Sequence, residues 1–412
     1  MKLIGESFIV AIQSLKSNKL RTLLSLLGIT IGIFAIITVF SLVDSLERNI
    51  RGSIEQLGDN VVFIQKWPWE FGGDYPWWKY WQRPQPSLHE LKLIQKKSTL
   101  AAATVYQIDY AFTAKYKSTS IENVISVGVS HQFNLLKEFS LDEGRYFSLS
   151  ESNSGLPVAI IGKAVALSLF GLSSPIGQKI KLGGKNVTVI GVFQKEGESV
   201  LGNSLDGQIV TPAIFLKTMV DTKQRGVNQS IWVKAKPGVK NEDLMYELRG
   251  IMRSIRKIKP LADDNFALNE TSMLTTGFSD MFAMITIIGA IIGGFSILVG
   301  GFSVANIMYV SVKERTSIIG IQKALGAKNY FILLQFLFEA IFLSMIGGLM
   351  GLLLVWLVTK AASSVIDMEV ILSWTNIVTG LTISFIIGII SGVFPSRMAA
   401  KMNPVVAIRS NG

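Results

Sequence analysis

The chain has 412 residues, 49% of them hydrophobic and 17% charged, with a mean hydropathy of +0.42. That balance excludes an ordinary soluble domain and points to a membrane protein with a substantial soluble part. The formal net charge is +11 and there is no cysteine, so disulfides and cysteine-based metal or redox chemistry are excluded.

Residues 1–21 predict a short amphipathic helix, with Ile4, Phe8, Ile12 and Leu15 on one face. It is expected on the cytoplasmic membrane surface, or equally as an extension of the first span. Residues 22–43 carry no charge and form the first predicted transmembrane helix, expected to stay in place and not to be cleaved as a signal peptide. Beyond Asp44, Leu46, Ile50, Ile54 and Leu57 keep helical spacing, so the helix is expected to continue as a stalk.

Residues 44–280 then form an outer α+β domain. Val61–Ile64, Val158–Ile161, Val187–Phe193 and Ser230–Val233 read as strands. Ser87 and Glu90 form a capping box opening a helix to about Lys97, and Asn241–Arg256 reads as another helix. At this size the domain is one large lobe or two small ones, with the Gly- and Ser-rich segment 197–207 as a loop or boundary.

Three further apolar stretches give spans at 281–312, 329–359 and 377–396, of which the second is uncharged from Ala340 on; a charged segment at 313–328 and a short outer loop at 360–376 separate them. The second span alone would make a helix of ~48 Å, longer than a bilayer core. The tail is 397–412. Lys2, Lys16, Lys19 and Arg21 flank the same set of span ends as Lys313, Arg315, Lys323, Lys328, Arg397, Lys401 and Arg409. The positive-inside rule therefore puts both termini and the 313–328 segment in the cytoplasm. The fold class is an α-helical membrane protein with four transmembrane helices and a large α+β domain inserted between the first and second.

Chemistry-bearing patterns are few. The two histidines, His89 and His131, lie in no zinc or triad motif, so no catalytic and no metal-ligating residues are assigned. Gly162-Lys163-Ala164 lacks the rest of a phosphate-binding loop, so the chain is not expected to bind or hydrolyse ATP by itself and no cofactor is assigned. No nucleic-acid partner is expected, and the lipid bilayer is.

Trp67, Trp69, Trp77, Trp78 and Trp81 crowd one Pro- and Gly-containing segment. They read either as a partner-binding loop or as rings completing the core. The pairs Gly28/Gly32, Gly289/Gly293 and Gly347/Gly351 have the spacing of close helix crossings. Glu339, inside an apolar helix, is a candidate functional charge, with Arg21 and Asn306 as candidate partners. In the charged segment, Ile318, Ile321 and Leu325 form an apolar ridge. Gly320 and Ala324 leave the backbone bare beside it, Lys323 and Lys328 flank it, and Gly326 suits a helix stop. Such a helix can dock in a cleft of a soluble protein, or lie on the membrane.

Several stretches resemble the MacB/FtsX-type permease subunits of ATP-binding cassette (ABC) systems. They are Asn18–Ile29, Leu57–Val62, Val158–Gly162 with Leu169–Gly171, Pro175–Gln178 and Val189–Val192, then Glu314-Arg315 with Gly320–Ala327, and Phe394–Arg397 with Asn403–Arg409. The chain departs from the family pattern at Ser317, Ile318 and Gln322, where charged residues are common.

The resemblance implies a MacB-like periplasmic domain at 44–280 and a coupling helix at 313–328. ATPase docking is then expected through Glu314, Arg315, Ile318, Gly320, Ile321, Lys323, Ala324, Leu325, Gly326 and Ala327. It implies a bacterial inner-membrane location, a dimer with a second permease copy or homologue, and a cytoplasmic ABC ATPase, expected as a separate subunit that binds the ATP. It also implies mechanotransmission to the outer domain for efflux or envelope transport, with a periplasmic adaptor and outer-membrane channel as further candidate partners. The alternatives are an FtsX-like subunit activating a cell-wall hydrolase, or a lipoprotein-extraction permease.

Overall fold

The computed structural model describes residues 19–409, apart from 56–59, 71–74, 198–203, 223, 225 and 366–369. The N-terminal amphipathic helix therefore lies outside the described residues, as does Leu57. Along the chain the elements are α1 (Lys19–Glu55), β1 (Val61–Gln65), α2 (Trp77–Trp81), α3 (Leu88–Lys97), β2 (Ala101–Tyr116), β3 (Thr119–Val129), α4 (Phe133–Leu136) and β4 (Leu141–Gly144). They continue with α5 (Leu149–Ser154), β5 (Val158–Ile161), α6 (Lys163–Phe170), β6 (Lys179–Leu182), β7 (Lys185–Phe193), β8 (Gln208–Pro212), α7 (Ala213–Lys217), β9 (Asn228–Ala235), α8 (Asn241–Ile255) and β10 (Ala267–Glu270). Five helices close the chain: α9 (Thr271–Glu314), α10 (Thr316–Ala324), α11 (Asn329–Val365), α12 (Trp374–Ala400) and α13 (Pro404–Arg409). Two compact units result, Arg48–Asp280 and a helical unit made of the flanking sequence.

In the Arg48–Asp280 unit one ten-stranded sheet runs β10-β1-β9-β2-β3-β8-β5-β7-β4, with β6 pairing both β2 and β7. The single sheet decides between one lobe and two. Most pairs are antiparallel, and only β3–β8 and β5–β7 are parallel. The long β2–β3 hairpin was not read from the sequence. It turns at Lys117, whose φ of +50° is left-handed, an uncommon conformation for a residue with a side chain.

The predicted capping box at α3 is formed. Ser87 N–H donates to Glu90 Oε2 at 2.6 Å, and Glu90 N–H donates to Ser87 Oγ. Glu90 is buried and also accepts from Arg256 Nε at 2.7 Å, which ties α3 to the end of α8. Both helices close over one core of Val62, Ile64, Ile94, Ile108, Leu244 and Leu248.

Among the described residues, four helices are long and apolar enough to cross a membrane, α1, α9, α11 and α12. Helix α9 has 44 residues, ~66 Å of unbroken helix. The core is Ile29, Ile33 and Ile37 from α1, Met308 and Val312 from α9, Phe336 and Ala340 from α11, and Ala399 from α12. All three glycine pairs lie at crossings. A methyl group added at Gly300 would come within 2.9 Å of the Gly28 backbone, and one at Gly293 within 2.6 Å of Ile36. One at Gly351 would come within 2.9 Å of the Thr30 carbonyl, and Thr30 Oγ1 donates to the Gly347 carbonyl. Apolar lipid gives helices no hydrophobic reason to associate, so close backbone approach and such hydrogen bonds carry the packing.

At the far end of α1, Asn376 Nδ2 donates to Asp44 Oδ2 at 2.9 Å and to Ser41 Oγ. Ile371 N–H donates to Ser45 Oγ. The first charge after the apolar run of α1 is thereby engaged by the N-terminal turn of α12.

Candidate functional site

The site is built on α10. Helix α9 ends at Glu314, and Arg315 takes a non-helical conformation that turns the chain into the new helix. Thr316 Oγ1 donates to the Lys313 carbonyl across this corner. At the other end Gly326 has a φ of +98°; its N–H donates to the Lys323 carbonyl and the Ala327 N–H to the Gln322 carbonyl. These two bonds satisfy carbonyls of the last turn in the pattern a glycine stop provides.

The helix has two faces. Ile319 and Gly320 are buried, and a methyl group at Gly320 would meet Ala407 and Ile408 of α13 at 3.0 Å. Lys323 Nζ donates to the carbonyls of Ala400 and Met402 at 2.6 and 2.7 Å, so an ammonium sits on the negative end of α12. On the outer face Ile318, Ile321 and Leu325 are 54%, 50% and 84% exposed. Ala324 and Gly326 are also exposed, Ala327 is half-buried and Glu314 is exposed.

The reading of Gly320 needs correction. Its missing side chain makes room for the chain's own tail and not for a partner, because α13 occupies that side. Lys323 likewise anchors α12 and does not flank the ridge as a free charge. Two apolar residues beyond the candidates are also exposed, Val405 and Val406 of α13, at 60% and 66%. Their signal in the sequence was Asn403-Pro404. Asn403 Oδ1 accepts from Val405 N–H, and proline suits a first helical turn.

Below the corner, Arg315 Nη1 lies 3.4 Å from Glu339 Oε2. Glu339, on α11, is 2% exposed. Arg315 is thus a partner that the sequence reading did not name. Asn306 lies on an exposed face of α9 and takes no part in this ion pair, and the Arg21 side chain is outside the described ones.

The tryptophans divide. Trp69 is half-buried, packs on Phe63 at 5.0 Å at the edge of the core, and its backbone N–H donates to Asn269 Oδ1. Trp67 is half-buried and packs edge-on against Trp81 at 6.2 Å, with Lys66 Nζ over both rings. Trp77, Trp78 and Trp81 are 59%, 61% and 52% exposed. No cluster of metal-ligating side chains occurs among the described residues.

Residues 22–251 match the model of the MacB-like periplasmic core domain, and residues 290–404 match that of the FtsX-like permease C-terminal domain. The macrolide export ATP-binding/permease protein MacB of Haemophilus ducreyi is 32% identical over 98% of this chain and 56% of its own length. The chain thus spans little more than half of that relative. The ABC transporter permease YknZ of Bacillus subtilis is 28% identical over 98% of both chains. Among solved structures, the periplasmic region of MacB from Actinobacillus actinomycetemcomitans aligns with 55% of this chain and 95% of its own, at 13% identity and a TM-score of 0.44. With a MacB-like core domain between its first two apolar helices and an FtsX-like module over the rest, the chain belongs to the MacB/FtsX family of ABC transporter permeases.

Proposed function

We propose that the chain transmits ATP hydrolysis by a cytoplasmic ABC ATPase to its extracytoplasmic domain, in export or envelope transport. The observation that carries this reading is the exposed apolar ridge of Ile318, Ile321 and Leu325 on a helix whose opposite face is fixed to its own chain. An exposed apolar patch rimmed by polar groups marks a docking surface. Motion imposed on α10 passes through the Arg315 corner directly into α9, which is one unbroken helix from Thr271 to Glu314.

The lysines and arginines that flank α10 and the tail support a cytoplasmic location for this surface. Family membership supports a dimer in the bacterial inner membrane with the core domain outside. The printed name of the Haemophilus relative joins ATP binding and permease in one protein. The 412 residues contain no phosphate-binding loop, so the ATP-binding part is proposed to lie outside them.

The experiment uses the cysteine-free background. Leu325→Cys, treated with a short bifunctional reagent in membranes containing the cognate ATPase, should cross-link to it, and the rigorously pure chain should hydrolyse no ATP. ATP turnover by the pure chain, or cross-linking of Leu325→Cys to lipid alone, would overturn the assignment.

A further inference from the structure

A second site lies in the Arg48–Asp280 unit, on the sheet face behind the tryptophan segment. A cavity of about 430 Å³ is lined by Phe63, Trp67, Trp69, Trp232 and Leu274 on its apolar side. Its polar side comprises Gln65, Lys66, Gln85, Gln107, Asp109, Asn228, Gln229 and Ser230. Its volume falls in the range of small-molecule pockets, ~300–1,000 Å³.

The wall is polar in an unusual way: it is mainly neutral amide. Gln107 Nε2 donates to both carboxylate oxygens of Asp109, at 2.9 and 3.0 Å, which fixes the orientation of the amide. Gln107 Oε1 is then left buried with no hydrogen-bond partner. Such an acceptor costs free energy unless a donor reaches it. Gln229 and Ser230 are buried and already committed, to Tyr106, Thr222 and Trp232. They form a fixed floor.

Charge narrows the ligand class. Burial pushes the Asp109 carboxyl up to about 7, so near neutrality it holds a weakened negative charge. Lys66 is the cation of the wall and lies over the rings of Trp67 and Trp81. A cationic ligand would meet the like charge of Lys66. An anion would meet Asp109 and no arginine. A purely apolar ligand would desolvate the amides without pairing them. What remains is a neutral ligand with many alternating donors and acceptors and one flat face rich in C–H groups.

We propose that this cavity binds a neutral saccharide of one or two rings, stacked on Trp67 and Trp69 and hydrogen-bonded to Gln107, Asp109 and Asn228. An aromatic platform supplies area, and a few placed amides supply orientation. The proposal does not depend on ATPase docking, and its test uses the permease alone.

The test is titration calorimetry on the full chain in phospholipid nanodiscs, since alkyl glycoside detergents carry a competing sugar head group. The probes are maltose, N,N′-diacetylchitobiose and, as a cationic control, tetramethylammonium. One of the two saccharides should bind saturably. Trp67→Ala should weaken it at least about tenfold, which corresponds to the loss of one stacking platform. Trp67→Phe should restore much of the affinity, and Asn228→Ala, at an exposed position, should weaken it severalfold with the fold intact. No heat with either saccharide, binding of tetramethylammonium instead, or saccharide affinity unchanged in both Trp67→Ala and Asn228→Ala would each overturn the proposal.

Discussion

Glu339 shows what a single charge does in this fold. It is buried on α11, and Arg315, at the corner between α9 and α10, reaches it. Removing one partner of a buried pair leaves the other uncompensated, at a cost of ~3–5 kcal/mol. Arg315 is part-exposed and can turn toward water, which softens that cost. Glu339→Gln should therefore preserve assembly and lower the stimulation of the ATPase by the permease. Stimulation equal to wild type would remove Glu339 from the transmission path.

Asp109 makes a different prediction at the same scale. Its folded pKa lies near 7 against an ordinary value of 3.8, so across that window the folded chain holds a proton that the unfolded chain has released. Stability must fall as pH rises through the window. Asp109→Asn removes this dependence. Its thermal midpoint relative to wild type should rise from about pH 5 to about pH 8. A constant difference would place the carboxyl in water.

Among the elements, helix crossings were the most legible feature and the faces of α10 the least. Glycine pairs announce close approach because only a bare backbone permits it, and each pair lies at a contact. Gly300, opposite Gly28, shows how tight such a crossing is. Gly300→Val should lower the thermal midpoint of the full chain through overpacking, typically ~1–3 kcal/mol, because the atoms in the way are backbone and cannot turn aside. A midpoint within error of wild type would mean that α1 and α9 part easily.

The capping box at Ser87 and the strands around β5 and β7 were readable for a similar reason: their signals are local. The β2–β3 hairpin was missed because Lys117 stands where a glycine or asparagine would mark a turn. Gly320 was misassigned because helical periodicity gives two candidate faces. Which one the chain covers itself depends on α13, which lies 84 residues later. The ion pair of Glu339 was hidden in the same way, since Arg315 is 24 residues away in sequence and adjacent only in the fold.

At the scale of the whole molecule, the α10 surface follows from three placements. The tail helix α13 backs Gly320, Lys323 locks the end of α12, and the glycine stop at Gly326 releases the chain into α11. Gly320 and Lys323 hold α10 by its inner face, and Ile318, Ile321 and Leu325 are exposed on the outer one. The cavity behind the tryptophans is a separate device on the other unit. Trp69, half-buried in its wall, shows why the tryptophan segment read both as core and as contact surface.

The central claim is that the outer face of α10 is the ATPase-docking surface. The most direct measurement is co-purification of the cognate ATPase with permease variants from detergent-solubilised membranes. A carboxylate at the 84% exposed Leu325 costs the free permease almost nothing, but buried unpaired in an interface it costs several kcal/mol. Leu325→Glu should therefore release the ATPase while the permease remains inserted and its outer domain folded. Lys328→Ala, at the exposed rim, should retain it. Retention of the ATPase at wild-type level by Leu325→Glu would contradict the assignment of this surface.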